Sequence, residues 1–188
     1  MHVDGDAVVA TRARIGGELR EQVVVYDEDL EIIAPDPAQP ATNLTRTAQV
    51  RALAEPRLIG WAAASADVDR VAREVREAGL EVSGPRDGSR ARPDGRVLRW
   101  RIVVVSTPLG GGDVDPIPFF IQWSAGSVHP SDDSPPGCSL EGLEFRHPDP
   151  EALGRMLRRL GIDARVTRAP VQAIAATLGT PKGRVVIS

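Results

Sequence analysis

The feature that most constrains this chain is an internal repeat. Residues 58–79 read LIGWAAASADVDRVAREVREAG and residues 140–161 read LEGLEFRHPDPEALGRMLRRLG. A shift of 82 positions aligns Leu58 with Leu140, Gly60 with Gly142, Asp67 with Asp149 and Gly79 with Gly161, without a gap. Two copies of one pattern imply two copies of one supersecondary unit. Each copy opens on a short apolar run suited to a strand. Asp67 and Asp149 then stand where a carboxylate can accept the orphan amide hydrogens of a first helical turn. Pro150 follows at a position where its missing N–H costs nothing. Val68, Val71, Val75 and Ala78 in one copy, and Leu153, Met156, Leu157 and Leu160 in the other, recur at helical spacing. Gly79 and Gly161 close the helices, as residues free to take positive φ. A helix with one apolar stripe must pack on something, and the neighbouring strands predict a sheet.

The repeat continues in strands. Arg92-Pro93-Asp94-Gly95 and Thr180-Pro181-Lys182-Gly183 read as turns with Pro second and Gly fourth. Each precedes a β-rich run, residues 97–105 and 184–187, now at an offset of 88. Residues 117–123 and 172–178 add strands. The expected unit is β-α-β-β-β, present twice. The N-terminal third reads as part of the same unit: a hairpin over 18–26 and 30–34, stopped by Pro35-Asp36-Pro37, with a short helix over 48–54. The Gly110-Gly111-Gly112 run lacks the Gly-Lys-Ser/Thr ending of a phosphate loop and reads as a flexible loop. Ser134-Pro135-Pro136-Gly137 reads as a linker between modules.

The fold class expected is α+β: tandem βαβββ modules forming cupped, mixed or antiparallel sheets, with helices on the outer face. A chain of 188 residues, 41% hydrophobic, suits one domain with a real core. A net charge of −3 gives no general attraction for nucleic acid or anionic membrane. No run approaches the ~18 apolar residues of a membrane span, and residues 1–10 lack the basic start and apolar core of a signal peptide. The single cysteine, Cys138, cannot form an internal disulfide. A cytoplasmic protein fits these features.

Six segments sharpen the reading: LEIIAPDP (30–37), EPRLIGWA (55–62), RPDGRVLRWRI (92–102), PFFIQW (118–123), His129-Pro130, and TPKGRVV (180–186). In that order, beside tandem βαβββ modules, they resemble the bacterial glyoxalase-like domain proteins of the vicinal oxygen chelate superfamily. The resemblance runs from about residue 30 to residue 188. It implies one glyoxalase-like domain over 1–188, with a first module over 1–56 lacking its first strand and helix, a second over 57–124 and a third over 139–188. It also implies a divalent metal in the cup, held by the first and last strands of paired modules. The corresponding positions are Glu31, Gly60 and Gln122, with His2 a formal candidate. Gly60 has no side chain and Gln122 is a neutral ligand, so the implied metal set, Glu31 with Gln122, is incomplete.

Candidate site residues follow. Glu31 is the candidate base or ligand. Arg99 and Arg101 share one strand face, with Trp100 on the other, and two guanidinium forks can clamp a carboxylate or phosphate. Gln122 and Trp123 are candidate substrate contacts. His129, in a loop beside carboxylates, is a candidate proton carrier. Each also has a plain structural reading: an exposed strand carboxylate, a solvated arginine face interleaved with Asp87 and Asp94, a core aromatic, a solvated loop histidine. His147 replaces Ser65 in the repeat just before a helix cap and reads as structural.

Three functions fit. One is a lyase or isomerase of glyoxalase type, moving a proton beside the carbonyl of a small, anionic organic molecule. The second is a metal-free module that binds or sequesters such a molecule. The third is a truncated, non-catalytic homologue, whose open sheet edges a second copy in a homodimer can cover.

Overall fold

The computed structural model describes residues 53, 57–92, 94–133 and 136–188. The hairpin expected over 18–34, with Glu31, and His2 lie outside the described residues, as does all but Leu53 of the helix expected over 48–54.

The described elements run β1 (Ala62–Ala64), α1 (Val68–Glu77), β2 (Glu81–Ala91), β3 (Val97–Ser106), β4 (Phe119–Trp123), a 3₁₀ turn (Pro130–Asp133), β5 (Ser139–His147), α2 (Pro150–Arg159), β6 (Arg165–Arg168), β7 (Ala173–Thr180) and β8 (Gly183–Ile187). They form two four-stranded, mostly antiparallel sheets. Among the described residues no helix is long and apolar enough to cross a membrane.

Both helices start as their sequences dictate. Asp67 accepts from the Arg70 N–H and Asp149 from the Ala152 N–H, each at 2.9 Å. Before each cap, a side chain binds the cap residue's own amide. Ser65 Oγ accepts from Asp67 N–H at 3.1 Å, and His147 Nδ1 accepts from Asp149 N–H at 2.9 Å. Histidine thus takes the position and the role of its repeat partner serine. Gly79 and Gly161 end the helices at φ 74° and 77°, values that favour glycine. Val68, Val71, Ala72 and Val75 bury one face of α1, and Leu153, Gly154 and Leu157 one face of α2.

One continuous core joins the two halves. It takes Val103, Val105 and Phe120 from the first sheet and Phe145, Ile174 and Ala176 from the second, with both helices' apolar faces. At its centre Trp61, 1% exposed, meets Phe145, 0% exposed, with ring centroids 5.1 Å apart. The Trp61 indole N–H donates to the Pro116 carbonyl at 3.0 Å, so its one polar group is satisfied. Arg159 reaches from the end of α2 to the Ala78 carbonyl at the end of α1.

The halves share the succession β-α-β-β-β but not the strand order. The first sheet runs β1-β4-β3-β2, with β1 parallel to β4. The second runs β6-β5-β7-β8, with β5 between parallel β6 and antiparallel β7. The gap-free repeat stops at the glycine after each helix, and the wiring diverges there. The first unit continues into the 11-residue β2, whereas the second makes only the four-residue β6 and sets it beside β5. Two strands are also shorter than their apolar runs. Only Ala62–Ala64 of 58–64 joins a ladder, and β4 begins after the buried Pro118, which has no N–H to give.

Candidate functional site

Register decides which side chains share a face. In β3, residues 101, 103 and 105 point toward α1. Val103 and Val105 are in the core, and Arg101 binds Asp69 on that helix. By strand alternation, residues 98, 100, 102 and 104 point the other way. The ladder pairs Trp100 with Trp123, Ile102 with Ile121 and Val104 with Phe119. These six apolar side chains form one half-buried face on the side of the first sheet away from α1, an open face in that no described helix or strand packs over it.

Two further elements border it. On β2, Arg86, Gly88 and Arg90 pair with Ile102, Trp100 and Leu98, and so belong to the same face. Arg86 is exposed, and its guanidinium has no hydrogen bond or ion pair among the described residues. On the loop after β4, His129 meets Trp123 edge-on, with ring centroids 5.1 Å apart. Trp123 in turn meets Trp100 edge-to-face at 5.6 Å. The loop is tied to β3: Ser124 N–H donates to the Arg99 carbonyl at 3.0 Å, and Ser127 Oγ accepts from Arg99 N–H at 3.0 Å.

The residues expected to act together are therefore divided. Trp123 and His129 meet on the open face. Arg99 and Arg101 lie on the opposite face of the sheet. Arg101 is bound bidentately by Asp69 and stands 3.5 Å from Asp87. The hydrogen bond from Arg101 holds the Asp69 carboxyl below its ordinary range, and Asp69 raises Arg101 in return. The Arg101 guanidinium is thus engaged by carboxylates on the helix side of the sheet, away from Trp123 and His129. Arg99 has an exposed side chain, and its contacts to the loop are made by its backbone. Gln122 also faces α1: its Oε1 accepts from the Val68 N–H at 3.1 Å. Glu31 lies outside the described residues.

The same placement tests the fit of a divalent metal. Of the positions implied to hold one, Gly60 has no side chain, and the Gln122 oxygen is spent on the helix start. Among the described residues, no three His, Cys, Asp or Glu side chains cluster as a ligand set. The described residues do not fit the superfamily's metal.

Sequence reading missed Trp100, Arg86 and Gly88 as site residues. Alternation does put Trp100 opposite Arg99 and Arg101. But β2, rich in Ser, Gly, Asp and Arg, does not read as a strand, and only its register with β3 brings Arg86 and Gly88 to the face. The second sheet's open face is different in kind. There a carboxylate, Glu144, stands on the sheet; it accepts from Thr167 Oγ1 at 3.1 Å and lies 3.9 Å from Arg146.

A search of curated proteins returned no match. Among solved structures, a hypothetical protein from Staphylococcus aureus matches with a TM-score of 0.51 and 14% identity. That match covers 61% of this chain and 54% of the other, so the alignment spans about half of that protein's length. A likeness at this identity speaks for the fold. A family model described as "Glyoxalase-like domain" matches residues 24–161, well over half of the chain. With the two four-stranded, mostly antiparallel sheets and two capped helices, this match places the chain in the glyoxalase-like domain family of the vicinal oxygen chelate superfamily.

Proposed function

We propose that this protein binds a small organic anion on the open face of its first sheet. The observation that carries this reading is the face itself: Trp100, Ile102, Ile121 and Trp123, half-buried and contiguous, edged by an exposed Arg86 with no partner among the described residues. Sites for small molecules combine an apolar lining with a few placed polar groups. An arginine fork is suited to carboxylate or phosphate. The reading needs no metal at Gly60 or Gln122.

The test is thermal unfolding of the purified chain against a panel of carboxylates, 2-oxo acids and phosphate monoesters. A ligand at ~100 times its Kd stabilises by about 2.7 kcal/mol, which raises the melting temperature by several degrees. The expected result is a shift with at least one anion that Trp123→Ala abolishes. No shift with any anion, or an equal shift in the variant, overturns the proposal.

A catalytic reading rests on His129. Its ring stands against Trp123 at the edge of the same face, where an imidazole can move a proton beside a bound carbonyl. The reaction class is then lyase or isomerase, with Glu31 the candidate second proton carrier. Deuterium exchange at the carbon beside the carbonyl of a bound 2-oxo acid, followed by NMR, tests this. Exchange at the uncatalysed rate, or unchanged exchange in His129→Gln, rejects it.

A further inference from the structure

The site's first wall is seated on a glycine. A Cβ added at Gly88 would stand 2.4 Å from Nε1 and 2.5 Å from Cε2 of Trp100, closer than atoms approach without bonding. The Trp100 indole therefore packs directly on the β2 backbone, at a place that only glycine leaves open. The flanking residues on that face of β2 are Arg86 and Arg90, two positions either side of Gly88 and so ~7 Å from it along the strand. Trp123 meets the indole at 64°, so the two rings form a corner rather than a flat floor.

Resting on the binding reading above, we infer that the ligand is a planar aromatic ring carrying an anionic group, stacked in the corner of Trp100 and Trp123 with its charge at Arg86. A flat ring can lie on one indole and present its edge to the other, the two geometries that aromatic quadrupoles favour. A saturated ring of the same size fills the corner but lacks those contacts. The anion follows from Arg86, which its register with Ile102 puts on the same face two residues from Gly88, and which has no partner among the described residues. Gly88 is then a positioning residue. It touches no ligand, but it sets where the first wall lies.

The experiment is isothermal titration of the full chain with 2-naphthoate, with its uncharged relative 2-naphthalenemethanol, and with the saturated anion cyclohexanecarboxylate. Naphthoate is expected to bind about tenfold more tightly than either of the others. Gly88→Ala is expected to weaken naphthoate about tenfold by lifting the indole off its seat, and to shift tryptophan emission to the red. Arg86→Gln, an exposed change that leaves the core intact, is expected to weaken naphthoate by a similar factor and leave naphthalenemethanol unchanged. Equal binding of naphthoate and cyclohexanecarboxylate, both lost in Arg86→Gln, overturns the aromatic assignment while keeping the anion site. Wild-type affinity for naphthoate in Arg86→Gln, or in a folded Gly88→Ala, overturns the proposed pose. No binding of any probe overturns this inference; the reading beneath it falls only if the anion panel also gives no shift that Trp123→Ala abolishes.

Discussion

Replacing Gln122 separates a helix cap from a ligand-binding residue. Its Oε1 accepts from the N–H of Val68, the first residue of α1, at 3.1 Å. Val68 itself is 0% exposed, so water has no ready access to that amide once the acceptor is gone. Gln122→Met keeps the length and flexibility of the side chain and removes only the acceptor. The cost is the desolvation of an unpaired buried N–H, about 1–3 kcal/mol. With a urea m-value of ~2 kcal/mol/M, a loss of ~2 kcal/mol moves the unfolding midpoint by about 1 M. Gln122→Glu serves as the rescue. It restores an acceptor and adds a negative charge at a helix N-terminus worth up to ~1 kcal/mol, so its midpoint should equal the wild type or exceed it by up to ~0.5 M. The assay is urea unfolding followed by far-UV circular dichroism, alongside anion titration of each folded variant. A wild-type midpoint in Gln122→Met with loss of ligand binding would refute the argument, returning Gln122 to the cup.

Three other outcomes follow from the packing and the charges. Phe145→Ala removes half of the ring pair that joins the two halves of the core, and should destabilise by about 3–5 kcal/mol, read as a lowered urea midpoint. His147→Ala removes the hydrogen bond at the exposed Asp149 and leaves a gap where the buried ring stood, costing at least the ~0.5–1.5 kcal/mol of that bond. His147→Ser, copying Ser65, should recover part of that loss, and equal midpoints for the two variants would mean that the acceptor contributes nothing. Asp69 has a carboxyl held below its ordinary range, chiefly by the hydrogen bond from Arg101. Its unfolded form therefore binds protons more readily than its folded form, so stability rises with pH through that window. The Asp69–Arg101 contribution is complete above the ordinary aspartate range and fades as pH falls through the depressed folded value. NMR titration of the Asp69 carboxyl should find its midpoint below that of an exposed aspartate, and Arg101→Gln should return it to the ordinary range.

What the sequence could and could not specify divides at local versus long-range contacts. Asp67, Asp149, Gly79 and Gly161 act within one turn of themselves, and their spacing alone gives both helices and both ends. The family is legible for the same reason, since its motifs are short runs in fixed order along the chain. Strand order is not local. The repeat that aligns Gly60 with Gly142 predicts two equal sheets, yet β5 pairs with β6 and β7 where β1 pairs with β4. The choice is made by segments after the repeat has ended. Faces follow the same division. Alternation puts Trp100 opposite Arg99 and Arg101, but it cannot say which face meets α1. One residue of register separates Gln122, bound to the helix, from Trp123, beside His129. Likewise Gly88 looks like a turn glycine in a run of Ser, Pro, Asp and Arg, and only β3 laid across it makes it a seat for an indole. The two arginines most visible in the sequence thus lie on the helix side, Arg101 with its charge already matched, while the arginine beside the aromatic corner comes from a strand that does not read as one. Where a fold is built from alternating faces, a polar side chain should be given to a binding site only once a neighbouring strand or helix fixes its face. By that criterion, Arg86 is the cation with the better claim.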